Sequence, residues 1–228
     1  GKIYVVGGTS NGTTALNVNE VYDPATNAWA SLKTMSTGRM FLAAAAANNK
    51  LYAIGGAKTT ASVNTNEEYD PATNNWTAKT AMPTARVYLT AQSANGKVYA
   101  LGGNTSLNAA TTLSQNEVYD PISNTWATKL ALPSPTYLMS SAVIGNKIYI
   151  INGLSSINSV TNTVRMYDSI NNTYTSQINA LTPNNASSSV AVNGYIYSIG
   201  GDDNSSVIYQ TNYKFDTGIP TPIDTAMD

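Results

Sequence analysis

The sequence predicts an all-β fold built from repeated four-stranded units, and three features of the chain support this. An apolar strand that ends in a glycine pair, once altered to Asn-Gly, occurs five times in 228 residues. The second residue of each pair is Gly8, Gly56, Gly103, Gly153 or Gly201, so the spacing is 47 to 50 residues. A second strand ending in Tyr-Asp or Phe-Asp follows each pair, and four of the five units then reach an aromatic residue at the same offset. A repeat of this length with several short strands is typical of a blade, and blades arranged in a ring form a β-propeller.

Each unit is expected to contain four strands, a to d in chain order. Strand a is small and apolar and is predicted at 41–47, 87–93, 138–144 and 187–192. A two-residue turn of Asn and Gly leads to strand b, because these residues tolerate the positive φ of tight hairpins. Strand c is predicted at 19–22, 66–69, 116–119, 164–167 and 212–215. Strand d carries Trp29, Trp76, Trp126 or Tyr174.

A second turn, of sequence DPATN, DPATN, DPISN or DSINN, joins strands c and d. These turns begin at Asp23, Asp70, Asp120 and Asp168. The Asp side chain accepts hydrogen bonds from its own turn, Pro presets φ, and the closing Asn can take a left-handed conformation. The sequence therefore predicts the same tight turn in four of the units.

The glycine pair, the Tyr-Asp of strand c, the Trp of strand d and the period of about fifty residues resemble kelch repeats. The segment Met82–Arg86 strengthens the resemblance, since kelch repeats often carry Pro and Arg just before strand a. The resemblance covers residues 1 to about 216 and implies a kelch-type β-propeller. Three departures occur: Asn152 replaces a glycine, Tyr174 replaces Trp, and the fifth unit has no recognisable strand d.

The chain is expected to form one propeller domain, residues 1–216, followed by a tail or linker at 217–228. Its units are predicted at about 1–34, 35–81, 82–131, 132–180 and 181–216. The first unit lacks strand a and the last lacks strand d. Two interpretations follow: the chain is a piece of a longer protein with further blades or domains, or five units close with residues 219–223 as an extra strand. We expect the first.

Composition restricts the classes of function. The net charge is −1 and charged residues make up 11% of the chain, so no electrostatic footprint for nucleic acid is present. No apolar run is long enough for a transmembrane helix, and no membrane insertion is expected. The sequence contains neither His nor Cys, and we expect no cofactor and no metal site. A surface rich in Asn, Ser and Thr favours a secreted, extracellular or cell-surface protein.

The loops that connect strands b to c and d to a are the expected binding face, because antiparallel strands bring both sets to the same side. The b–c loops are long and differ between units, whereas the a–b and c–d turns are short and nearly identical. Variable loops on a repeated scaffold commonly carry binding. The kelch resemblance implies the same loop set as the ligand surface.

Two arginines and three aromatic residues are the main candidates on this face. Arg39 and Arg86 precede strand a at equivalent positions and either grip a ligand's carboxylate or tie down backbone carbonyls. Phe41, Tyr88 and Tyr137 lie close by and either stack on a sugar or peptide or fill the space between blades.

Asn104 and an acidic pair complete the set of candidates. Asn104 opens the third b–c loop. Asp202 and Asp203 either form an acid–base pair, if their pKa values differ, or lie in a solvated loop. Glu20, Glu67 and Glu117 recur in register and are therefore assigned to blade construction.

Three hypotheses of function remain at this point. The preferred one is a non-catalytic binding module that recognises an unidentified protein or glycan. The second is a structural subunit of a surface assembly or appendage, which self-associates. The third is a sugar-active, mutarotase-like enzyme, for which only Arg39, Arg86, Asp202 and Asp203 offer an acid–base constellation.

Overall fold

The computed structural model describes residues 1–108, 111–156, 159–205, 207–210 and 212–218, and in these ranges the regular secondary structure is entirely β. The chain comprises two compact units, residues 1–137 and 138–228. The all-β prediction is confirmed. The expected single domain over residues 1–216 stays a prediction, and the alternative closing strand at 219–223 lies outside the described residues.

The unit 1–137 contains three antiparallel sheets. The first has the order β1-β2-β3, the second β4-β5-β6-β7 and the third β8-β9-β10-β11. The strands are β1 (Ile3–Val6), β2 (Asn19–Asp23), β3 (Ala28–Ser31), β4 (Ala43–Ala47), β5 (Lys50–Ile54), β6 (Asn66–Asp70), β7 (Asn75–Lys79), β8 (Thr90–Ala94), β9 (Lys97–Leu101), β10 (Asn116–Asp120) and β11 (Thr125–Thr128). The first sheet lacks strand a, as predicted.

The unit 138–228 contains two further blade-like sheets and one short hairpin. The sheets have the orders β12-β13-β16-β17 and β18-β19-β20, and β14 pairs with β15. The strands are β12 (Ser140–Ile144), β13 (Lys147–Ile151), β14 (Leu154–Ser156), β15 (Ser159–Val160), β16 (Val164–Asp168), β17 (Thr173–Ser176), β18 (Ser188–Val192), β19 (Tyr195–Ile199) and β20 (Asn212–Asp216). The β14–β15 hairpin lies in a b–c loop and was not predicted.

The predicted starts of three a strands were wrong by two or three residues. Phe41, Tyr88 and Leu138 have φ of 55°, 56° and 52°, which a strand cannot continue through. Strands β4, β8 and β12 therefore begin only at Ala43, Thr90 and Ser140.

The two families of turns have the predicted conformations. In the a–b turns, Asn48 and Asn49 both have positive φ, of 51° and 61°. The closing Asn of every c–d turn is left-handed, and these residues are Asn27, Asn74, Asn124 and Asn172. The Asp that opens a c–d turn accepts a backbone N–H two residues later, at 2.9 Å from Ala72 to Asp70 for example.

The tryptophan of strand d links neighbouring sheets within the unit 1–137. The indole N–H of Trp76 donates to the carbonyl of Lys33 at 2.8 Å, and that of Trp126 donates to the carbonyl of Thr80 at the same distance. The ring of Trp76 also lies 5.1 Å from that of Tyr69 on strand c. In the second and third sheets, the tryptophan therefore ties strand d to the segment that precedes the sheet.

Small residues on strand a allow neighbouring sheets to approach closely. Strands β4 and β8 lie side by side in the unit 1–137. Ala43, Ala45 and Ala47 are buried there in one cluster with larger side chains from strands b and c. In the unit 138–228, Ala142 has the same role in a cluster with Tyr149 and Ile196.

A lysine at the start of strand b pairs with the Asp of the c–d turn in four sheets. The pairs are Lys2–Asp23, Lys50–Asp70, Lys97–Asp120 and Lys147–Asp168. The least exposed carboxylate belongs to Asp168, whose Oδ2 lies 2.7 Å from Lys147 Nζ. The hydrogen bond from Lys147 and those from the backbone of the turn hold the pKa of Asp168 well below its ordinary value.

We expect the stability of the unit 138–228 to depend on pH through the carboxylate of Asp168. Because the pKa of Asp168 is lower in the folded state than in the unfolded state, its ionised carboxylate stabilises the fold when the pH is above the unfolded-state pKa of about 3.8. This contribution is lost as the pH falls toward the folded-state pKa. Urea unfolding from about pH 5 to about pH 2 measures the effect. The variant Asp168→Asn should lose less stability on acidification than the wild type, and an equal loss would contradict the assignment.

Candidate functional site

Arg39 and Arg86 are buried inside their own blades. Both are 0% exposed, and their guanidinium groups lie 2.7 Å from the carboxylates of Glu67 and Glu117. The Nη atoms also donate to backbone carbonyls, including Gly55 O at 2.9 Å from Arg39, whereas the Nε of each arginine has no hydrogen-bond partner among the described residues. The expectation that these arginines grip a ligand's carboxylate is therefore wrong, because each guanidinium group is fully buried and paired with a glutamate of its own sheet.

The two buried ion pairs are built in the same way. Burial lowers the pKa of Arg39 and of Arg86, and the adjacent glutamate opposes that shift in each case. The second oxygen of Glu117 accepts the hydroxyl of Thr84 at 2.8 Å, and Ser36 donates to Glu67 in the equivalent place. The assignment of Glu67 and Glu117 to blade construction is thus supported by their contacts.

Phe41, Tyr88 and Tyr137 form a row of aromatic rings in the unit 1–137. The ring centroids of Phe41 and Tyr88 are 4.7 Å apart, and those of Tyr88 and Tyr137 are 6.1 Å apart. Phe41 and Tyr88 are half-buried, whereas Tyr137 is buried and supports Tyr88. Burial raises the pKa of both tyrosines, so their hydroxyls stay protonated donors.

The left-handed backbone under these rings is a feature of the repeat rather than of the aromatic residues. Phe41 and Tyr88 share it with Leu138 and Ala186, whose φ values are 52° and 53°. Bulky residues rarely adopt such values, so the surrounding structure must hold them there. A hydrogen bond of 3.1 Å from Tyr88 N to Phe41 O fixes the two positions against each other.

Two b–c loops pack beside the aromatic row. Phe41, Tyr88 and Leu107 cover a buried cluster of Met40, Ala57 and Val87. The loops are joined directly by a hydrogen bond of 2.8 Å from Ser62 Oγ to Thr105 O. Phe41, Tyr88 and Leu107 with the loop 57–65 are defined here as the candidate binding face, which is held together by this packing and this hydrogen bond.

Asn104 is buried below this surface rather than exposed on it. It is 0% exposed, and its Oδ1 accepts the backbone N–H groups of Thr111 at 3.2 Å and Ser106 at 3.4 Å. Its backbone pairs with that of Val87. Asn104 thus shapes the loop, and the prediction that it contacts a ligand directly is wrong.

Asp202 and Asp203 organise their own loop in the unit 138–228. Asp202 Oδ1 accepts the N–H of Asn204 at 2.7 Å and the side-chain amide of Asn185 at 2.8 Å. Asp203 Oδ1 accepts the N–H of Ser205 at 2.9 Å, and hydrogen bonds from Ser205 lower its pKa. A general acid needs a raised pKa, so the acid–base interpretation of this pair is not supported by its contacts.

Each arginine also contacts a methionine sulfur, which the sequence did not predict. Met35 and Met82 place their sulfur atoms 3.4 and 3.1 Å from the guanidinium groups of Arg39 and Arg86. Each methionine stands four residues before its arginine, a recurrence that alignment of the units could have shown. Tyr137 also occupies the register position of Met40 and Val87, so its burial was detectable from the alignment.

Comparison with known proteins identifies the repeat. The family model for the KLHDC2/KLHL20/DRC7 kelch-repeats domain matches residues 43–219, and the kelch motif matches residues 1–36. The chain belongs to the kelch-repeat family. This kelch chain is also similar to the solved protein described as "Structure of YjhT", with 19% identity and a TM-score of 0.70. The match covers 86% of the present chain and 71% of that one, and it supports the kelch β-propeller fold.

Proposed function

We propose that this kelch protein is a non-catalytic binding module of an extracellular or cell-surface protein, and that its binding face recognises a protein or glycan. Kelch propellers suggest a binding or interaction role. The place of the site and the kind of ligand rest on one observation. Phe41 and Tyr88 form a half-buried ring pair, whose centroids lie 4.7 Å apart beside two joined loops.

The ring pair suits recognition for two physical reasons. Aromatic side chains provide a large contact area at a small cost in conformational entropy, and their faces accept sugars and apolar peptide groups. The hydroxyl of Tyr88 has no hydrogen-bond partner among the described residues, so it is available to a ligand. The neutral surface, rich in Asn, Ser and Thr, matches uncharged ligands in an extracellular setting.

Binding is favoured over catalysis because the groups proposed for acid–base chemistry are already engaged. Arg39 and Arg86 are held by Glu67 and Glu117. Asp202 and Asp203 accept hydrogen bonds from their own loop. These contacts leave the mutarotase-like hypothesis without the residues on which it rested.

The variant Tyr88→Ala is expected to weaken ligand binding about tenfold or more, as loss of a central aromatic residue does in other interfaces. A glycan array and a pull-down from culture medium, each with wild-type and variant protein, measure the effect. Ile122→Ala is the matched control, because Ile122 is 91% exposed in a c–d turn. Equal binding by wild type and Tyr88→Ala would overturn the proposed site, and recovery of the native protein only from inside cells would overturn the proposed location.

A further inference from the structure

The carboxylates of the unit 1–137 lie away from the binding face. Every Asp and Glu of residues 1–137 belongs to strand c, in β2, β6 or β10. Phe41, Tyr88, Leu107 and the loop 57–65 therefore include no acidic side chain. A hydrogen bond to a carboxylate is about twice as strong as one to a neutral acceptor, so the binding face offers no such acceptor to the hydroxyl groups of a ligand.

The binding face presents donors instead. The hydroxyl of Tyr88 is unpaired among the described residues, and burial raises its pKa, so it remains a donor. Lys58 is exposed in the loop 57–65 and forms no ion pair with any residue that the structure describes. It follows Ala57, which pairs with Met40, and Phe41 follows Met40. Diagonal neighbours across such a pair lie about 7–8 Å apart, within reach of a lysine side chain. A ligand that fits this face therefore supplies an acceptor.

An aliphatic side chain stands beside these donors. Leu107 is half-buried and packs with Phe41 and Tyr88 on the apolar cluster below them. Its open part can cover a methyl group, and removal of a methyl group from water is favourable. An acetamido group, which N-acetylated sugars carry, joins a carbonyl acceptor to a methyl group without a net charge. The donors and the leucine of the face are thus complementary to the two ends of an acetamido group.

We propose that the binding face recognises an uncharged glycan through an N-acetyl group, whose carbonyl accepts the hydroxyl of Tyr88 while its methyl packs on Leu107. The sugar ring stacks on the aromatic pair of Phe41 and Tyr88, whose negatively polarised faces attract C–H groups. Lys58 donates to a neighbouring oxygen of the glycan. This inference rests on the proposed function and deepens it, because it names the chemical group that the same site selects.

Two other ligands that carry acceptors fit the face less well. A sugar acid or other carboxylate is bound best by a bidentate guanidinium, and the arginines Arg39 and Arg86 are enclosed with Glu67 and Glu117. A protein partner needs about 800 Å² of contact on each side, whereas the binding face consists of three side chains and one loop. Both ligands are distinct outcomes of the test.

A glycan array with pairs that differ only by acetamido for hydroxyl, such as chitotetraose and cellotetraose, tests the proposal on the whole chain, and calorimetry gives the affinities. We expect the acetamido member of a pair to bind about tenfold more tightly, from one hydrogen bond and one buried methyl group. Tyr88→Phe keeps the ring and removes the hydroxyl. It should therefore bind the acetamido member about fivefold more weakly and the hydroxyl member as the wild type does.

Tyr22→Phe is the matched control, because it removes a hydroxyl that donates to Asn27 in a c–d turn, and it should change neither affinity. Equal affinity for the two members of a pair, or an unchanged preference in Tyr88→Phe, would overturn the inference. Tighter binding of a carboxylated glycan that weakens with salt, or no glycan binding with or without capture of a protein, would also overturn it. In each of these cases a ligand lost by Tyr88→Ala keeps the proposed site, whereas binding that Tyr88→Ala leaves unchanged overturns the proposed function itself.

Discussion

Replacement of Arg86 by Met is expected to destabilise the unit 1–137 by about 3–5 kcal/mol, because it leaves the carboxylate of Glu117 buried without its counter-charge. Glu117 is 3% exposed and would keep only the hydrogen bond from Thr84 and its local contacts. The carbonyls of Gly102 and Ala100 would also lose a donor. Removal of one partner from a buried pair is among the most costly single substitutions.

Urea unfolding of Arg86→Met and of Lys97→Met compares the loss of a buried ion pair with the loss of an exposed one. Lys97 pairs with Asp120 at 2.8 Å but is 45% exposed, so its loss should cost at most about 1 kcal/mol. The double variant Arg86→Met/Glu117→Leu should recover much of the stability, since an apolar pair removes the stranded charge. A cost for Arg86→Met no larger than that for Lys97→Met would contradict the structural role.

The second large effect is expected at the glycine pairs, where Gly56→Ala should cost about 1–3 kcal/mol more than Gly8→Ala. The two glycines have similar φ, of 92° and 96°, so the backbone strain of an alanine is nearly the same. A Cβ on Gly56 would lie 2.8 Å from Met40 O and 2.9 Å from Leu42 Cβ, whereas a Cβ on Gly8 meets nothing within 4 Å.

Thermal or urea unfolding of both variants measures the two contributions separately. Gly8→Ala reports the strain of a positive φ, about 1–2 kcal/mol. The excess in Gly56→Ala reports the close approach of residues 40–42, which lead into strand β4 of the same sheet. Equal destabilisation by the two substitutions would contradict the idea that Gly56 is needed where the segment before strand β4 passes close to the end of β5.

The turns show how far local sequence could predict the structure. The left-handed Asn that closes each c–d turn and the Asp that caps it act over five residues, so their conformation depends on little else. The glycine pair and the strand alternation are similarly local. By contrast, the sequence predicted Phe41 and Tyr88 as strand residues, and only packing against neighbouring segments holds them at positive φ.

The candidate site could be predicted only in part, because exposure is a property of packing. Arg39 and its partner Glu67 are 28 residues apart, and Arg86 and Glu117 are 31 apart. Their recurrence was visible in the sequence, but it did not show whether the guanidinium faces a ligand or the interior. Asn104 and Tyr137 were predicted to face a ligand, yet both side chains are buried.

By itself, the sequence determined the repeat, the order of the strands, the turns and the kelch family, since each depends on residues that are close along the chain. Only the tertiary structure decided which polar groups remain available. It enclosed two arginine–glutamate pairs at a distance of 2.7 Å, while Glu20 on β2 stayed exposed. The physical reason is that a charge is buried only where a neighbouring strand excludes water and brings its counter-charge.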